Sequence, residues 1–178
     1  MKNESKQFFD ILIRYMILII VALPNLWLFY FILTPLTIYP IYFSLSLFFE
    51  TSLNQTLITI QNCFEIEIIN ACIAGAAYYF LLILNLSVPK IKLKKRVKMI
   101  LLSFAALLIL NILRIALLSF MFVSGSQLLD ITHKLFWYLI STVFVVGIWF
   151  AEVKLFKIKE IPFYSDVKFL LKKSKLTQ

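Results

Sequence analysis

Three side chains in this sequence carry chemistry that an apolar chain does not need for packing: Cys72, Arg114 and His133. A cysteine thiol at neutral pH is only a few per cent thiolate, and a neighbouring base or cation raises that fraction. His133, the single histidine, could take the thiol proton and return it to a leaving amine. Arg114 stays charged at any accessible pH. It could stabilise a thiolate or the oxyanion of a tetrahedral intermediate, most strongly where water is scarce. Cys72 would then hold an acyl group until a second nucleophile arrives, so the three residue types together describe acyl transfer.

Each of the three also has a purely structural reading. A buried cysteine usually behaves as a small hydrophobe, and a lone histidine at a membrane boundary is an ordinary interfacial residue. A cation inside an apolar span costs about 2.5–3.5 kcal/mol on insertion scales, so Arg114 either faces a partner or cavity or snorkels to the surface. Asp130, three residues before His133, could orient the imidazole or stand solvated in a loop. Asn111, one turn before Arg114, could bond the guanidinium or a neighbouring helix. Cys63 lies nine residues before Cys72, and a disulfide between them would remove the nucleophile; Cys63 is better taken as structural or free. Asn54-Gln55-Thr56 is a glycosylation triplet. Trp27, Trp137 and Trp149 suit lipid-facing, interfacial or packing positions. One histidine and two cysteines make no metal site, and the sequence has no phosphate or dinucleotide loop, so no cofactor or metal is expected.

The elements that must position these residues follow from composition. The 178 residues are 62% hydrophobic and 15% charged, with 18 Lys+Arg against 9 Asp+Glu and a net charge of +9. Soluble domains are about 25% charged and cannot hide so much apolar surface in one core. Lipid is the natural solvent. Disorder, a secreted disulfide scaffold and a soluble nucleic-acid binder are excluded, since the cations sit in short flanking blocks without aromatic interleaving.

A helical span needs about 20 apolar residues. The first such run extends from Phe8 to Leu33, with Arg14 near its start and Pro24 within it, and it lacks a signal-peptide cleavage site. Pro35 to Phe49 is a second, shorter stretch interrupted by Pro40. Thr51 to Asn70 is polar, β-branched and partly alternating, which predicts extended structure outside a bilayer. Ala71–Val88, Met99–Val123 and Lys134–Ala151 are further spans. The Lys90–Lys98 loop and the Lys154–Lys175 tail hold the cations that the positive-inside rule keeps cytoplasmic. Five spans result if Pro35–Phe49 crosses, and four if it lies on the outer surface. With this orientation Cys72, Arg114 and His133 all fall toward the extracytoplasmic side, delivered by three separate elements.

The order and setting of these residues resemble the exosortase and archaeosortase family of membrane cysteine enzymes. The similarity lies in FEIEIINACIAGAAYYF around Cys72, LLILNILRIALLSF around Arg114 and DITHKLFWYLI around His133, within about Leu53 to Trp149. The sequence departs from many members after the cysteine, where Ile73 and Ala74 precede Gly75. The resemblance implies an all-α polytopic bundle of a compact archaeosortase-like type. Its parts would be N-terminal membrane anchor segments (1–50), a catalytic core (51–151) and a basic cytoplasmic tail (152–178). It implies Cys72 as nucleophile, Arg114 as support and His133 as acid or base. Substrates would be exported proteins ending in a recognition motif, a transmembrane helix and a basic cluster. A membrane lipid is the expected acceptor, or water if the enzyme is a plain protease. The alternative from a different class is a non-catalytic membrane component, such as a solute-binding subunit or scaffold, in which Arg114 is the counter-ion of a bound anion.

Overall fold

The computed structural model describes residues 2–158 other than positions 62 and 90, together with 162, 166, 167 and 171. Most of the expected basic tail therefore lies outside the described residues, as does Lys90 of the basic loop.

The first apolar run is divided. Helix α1 covers Lys2–Ala22 and α2 covers Trp27–Ser46, with Asn25 and Leu26 left-handed between them at φ 49° and 58°. Pro24 accounts for the break, because it offers no N–H to the helical ladder and disfavours helical backbone just before it. The expected single span from Phe8 to Leu33 is thus corrected. Residues from Pro35 onward, expected as a separate element, instead continue α2, which absorbs both Pro35 and Pro40.

The β-branched stretch folds as expected into extended structure: β1 (Thr51–Asn54), β2 (Leu57–Ile60) and β3 (Phe64–Glu67), antiparallel in the order β1-β2-β3. Ile58 and Ile60 are fully buried on the inner face, and Phe64 meets Phe122 edge-on with centroids 5.7 Å apart. A single turn, α3 (Asn70–Ile73), leads into α4 (Gly75–Leu86). Then come the long α5 (Leu93–Val123), α6 (Leu129–Leu135), a π-helical turn (Phe136–Ile140) and α7 (Ser141–Leu155).

Helices α2, α4 and α5 enclose the main core. Tyr78 at its centre is fully buried, stacked on Phe29 and edge-on to Phe104, at 6.3 and 5.3 Å between centroids. Gly75 permits the close approach of α4 to α2, since a Cβ there would lie 2.8 Å from the Tyr30 ring. At the other end of α4, Arg96 Nη1 donates to the carbonyls of Asn85 and Leu86 at 3.1 and 2.7 Å. Arg14 Nη1 also donates to Leu86 at 2.8 Å, and its guanidinium pairs with Asp166 and Asp10. Two cations thereby satisfy helix-end carbonyls that would otherwise be orphaned.

The fold is mostly helical, at 73%, with this small sheet added. Among the described residues two helices, α2 and α5, are long and apolar enough to cross a membrane. A third candidate arises if Leu129–Leu139 and Ser141–Leu155, bent by 44°, act as one span. The expected four to five spans reduce to two or three by this measure. The reasons are local: α1 carries too many charges, and α3 with α4 covers only Asn70–Leu86. Leu101, Ile109, Leu113 and Leu117 form an exposed stripe along α5, spaced by multiples of four, as a lipid-facing helix surface would.

Candidate active site

Chain direction changes abruptly around Cys72. After β3 the backbone stays extended to Ile69, turns once as α3, and is interrupted by Ala74 at φ 61° before α4 begins. A non-glycine residue in this region is disfavoured by about 1–2 kcal/mol, so packing on both sides must hold it. The result presents Cys72 on a short turn of its own, half-buried, instead of within the first turn of a long helix as the sequence had suggested.

Helix α5 grips that turn. Asn111 Nδ2 donates to the Cys72 carbonyl at 2.8 Å, and Arg114 Nη2 donates to the same oxygen at 3.5 Å. On its other side Arg114 Nη1 donates to Ser141 Oγ at 3.1 Å, while the Ser141 hydroxyl donates to the Phe136 carbonyl at 2.6 Å. The π-helical turn is thus closed by the residue that holds the arginine. Arg114 is only 9% exposed, and its Nε has no hydrogen-bond partner among the described residues.

His133 comes from α6. Its ring is exposed and lies edge-on to Trp137 at 6.4 Å between centroids. Asp130 does not bond it: that carboxylate pairs with Lys134 at 2.6 Å, and both are exposed. Cys63 and Cys72 are both free thiols.

Cys72, Arg114 and His133 border one cavity of about 370 Å³. Its other walls are mainly apolar, from Ile69, Ile115, Leu118, Phe122 and Trp137, with the acidic residues Glu65 and Glu67 on β3. Such a site could hold an apolar or extended substrate segment beside a thiol, an imidazole and a guanidinium. No group of His, Cys, Asp or Glu among the described residues could hold a metal ion.

Ser141 escaped the sequence reading, although a signal exists: His133, Trp137 and Ser141 recur every four residues, one helix face in register. Asn111, expected to bond the guanidinium or a neighbouring helix, reaches the backbone of Cys72 on α3. Searches against protein-family models, curated proteins and solved structures returned no match, so the chain is described by its architecture: a helical bundle with a thiol, a cation and an imidazole around one cavity.

Proposed function

We propose that the chain is an integral membrane cysteine protease or transpeptidase of the exosortase and archaeosortase type. It would cleave the C-terminal sorting signal of exported proteins through a Cys72 thioester. The observation that carries this is the shared cavity, which collects from three distant segments a thiol, a guanidinium and the only imidazole of the chain.

The reaction runs as follows. His133 takes the Cys72 proton, and the thiolate adds to the scissile carbonyl. Arg114, which borders the cavity, supplies the positive charge that stabilises the oxyanion. His133 returns the proton to the leaving amine as the C–N bond breaks, and the substrate's C-terminal helix departs. A lipid amine or hydroxyl then attacks the thioester and regenerates the thiol; water in its place gives plain proteolysis. The basic loop and tail orient the cavity toward the extracytoplasmic side of the cell membrane.

One observation favours the non-catalytic alternative: Arg114 bonds the backbone carbonyl of Cys72, which alone would suit a structural tie. Replacement separates the two. Cys72→Ala, Cys72→Ser, Arg114→Ala and His133→Ala are each expected to abolish maturation of a substrate with the tripartite tail, while the variants still accumulate in membranes. Normal processing by Cys72→Ala rejects the enzyme. A membrane-impermeant thiol reagent should also label Cys72 faster than an unactivated thiol, and more slowly after His133 replacement.

A further inference from the structure

Strand β3 is an edge of the sheet, and its polar backbone has a definite direction. The Ile68 N–H donates to the Thr56 carbonyl at 2.9 Å, which makes residues 68 and 56 a hydrogen-bonded antiparallel pair. Such pairs alternate along a ladder. With the register Ile58↔Ile66 and Ile60↔Phe64, it is Ile66 and Phe64 that exchange bonds with β2. The N–H and C=O groups of Glu65 and Glu67 therefore point the other way, off the free edge. The opposite ladder agrees: the Gln61 N–H donates to Glu50 at 2.8 Å, so the backbone of Leu57 and Thr59 turns to β1 and that of Ile58 and Ile60 to β3.

That free edge faces the candidate active site. Glu65, Ile66 and Glu67 all border the cavity of Cys72, although successive strand residues point to opposite faces. A strand met edge-on presents the main chain of consecutive residues to one space, which accounts for Ile66 standing in the lining between two glutamates of the opposite face. The side chains of Glu65 and Glu67 are exposed and lie on the same sheet face, so they offer negative charge at alternate positions along this edge.

From this we infer that β3 is a peptide-docking edge. A substrate segment would bind in extended form as a fourth strand, exchanging main-chain hydrogen bonds with Glu65 and Glu67 and placing a cationic side chain beside their carboxylates. This inference rests on the proposed peptide-processing function and names how its substrate is held. Strand addition of this kind takes affinity from main-chain bonds and selectivity from alternate side chains. It also answers a hazard, since an open edge beside an apolar cavity invites unwanted pairing, and the two exposed glutamates discourage it in the absence of a cationic partner.

The test uses the full chain in detergent with Cys72→Ala, so that binding is read without turnover. The probe is a synthetic peptide matching the segment just before the apolar helix of a tripartite-tailed protein, carrying one lysine. At saturation, amide exchange at Glu65 and Glu67 should slow about tenfold or more, with Ile66 unchanged. N-methylation of the peptide backbone should weaken binding about 3- to 10-fold at alternate positions only, the range expected from losing one net hydrogen bond. Exchanging the peptide lysine for glutamate should weaken it further. Glu65→Gln, which removes the charge alone, should lower affinity only for the lysine peptide, whereas Glu65→Pro, which removes the edge-facing N–H together with the carboxylate, should lower it for the lysine and glutamate peptides alike. No binding, uniform N-methyl effects or no protection at Glu65 and Glu67 would overturn the docking edge. If alternation appears while the unaltered chain fails to process the tailed protein, the thioester chemistry fails and the docking edge stands. If processing occurs without alternation, the reverse holds.

Discussion

Ser141→Ala removes one hydroxyl and isolates the positioning of Arg114. The Ser141 Oγ accepts from Arg114 Nη1 at 3.1 Å, while the second tie of that guanidinium, to the Cys72 carbonyl, is long at 3.5 Å. Ser141 is therefore its main tether. A hydrogen bond to a charged group contributes about 1.5–3 kcal/mol, which corresponds to roughly 10- to 150-fold in the population of the correctly held arginine. The processing rate of a tailed substrate should fall by a factor in that range. Ser141→Thr, which restores the hydroxyl, should recover most of it. Membrane accumulation and thermal stability of both variants, measured in parallel, separate lost positioning from lost folding. Processing by Ser141→Ala within twofold of the unaltered chain would refute the reasoning, since it would mean that the orientation of Arg114 does not limit the reaction.

Arg114→Lys keeps a positive charge but not the planar fork, so processing should drop about 100-fold or more while the variant accumulates normally; quantitative blotting alongside processing checks this. Gly75→Ala places a Cβ 2.8 Å from the Tyr30 ring and should destabilise the protein by about 1–3 kcal/mol, seen as a lower Tm that Tyr30→Ala partly restores. Ala74→Gly relieves a left-handed alanine at φ 61° and should raise stability by about 1 kcal/mol in thermal unfolding. Glu152→Gln should preserve or raise Tm, by up to about 1 kcal/mol. Asn85 already donates to the buried Glu152 carboxylate at 3.1 Å, whereas Asn85 Oδ1 lacks a donor that the new amide could provide.

Much of the architecture was legible because hydrophobicity is local information. The long apolar run through Arg114 became α5, and the β-branched alternation from Thr51 became the sheet. Breaks were harder to place. Pro24 divides the first run, whereas Pro35 and Pro40, of identical chemistry, remain inside α2, because packing against α4 and α5 decides which proline ends a helix. The three candidate residues were found from type and depth alone. Their ties were not. Asn111 and Arg114 reach the backbone of Cys72, and a backbone acceptor leaves no trace in residue identity. Asp130 pairs with Lys134 in place of His133, a choice between neighbours three and four residues away that side-chain direction on the helix settles.

Two of the fold's irregular turns border the cavity shared by Cys72, Arg114 and His133. Other left-handed residues, such as Asn25, Leu26, Gln55 and Gln61, belong to connections between elements, but Ala74 interrupts a helix that could otherwise run from Asn70 to Leu86. The π-helical turn lies between His133 and Ser141, and its closing hydroxyl holds Arg114. Unpaired buried atoms also occur at Thr37 and Glu152, so the orphaned Arg114 Nε decides little by itself. Its coincidence with a strained turn on one side and a widened turn on the other carries more weight. A sequence of this composition could satisfy a bundle with unbroken helices and no internal arginine, at lower conformational cost. Departures from local consistency that gather around one cavity are consistent with the proposed site. The same departures explain why the thiol sits on a one-turn helix: a cysteine in mid-helix has its backbone carbonyl committed to the ladder, whereas the carbonyl of Cys72 is free to be held by Asn111 and Arg114 from the facing helix.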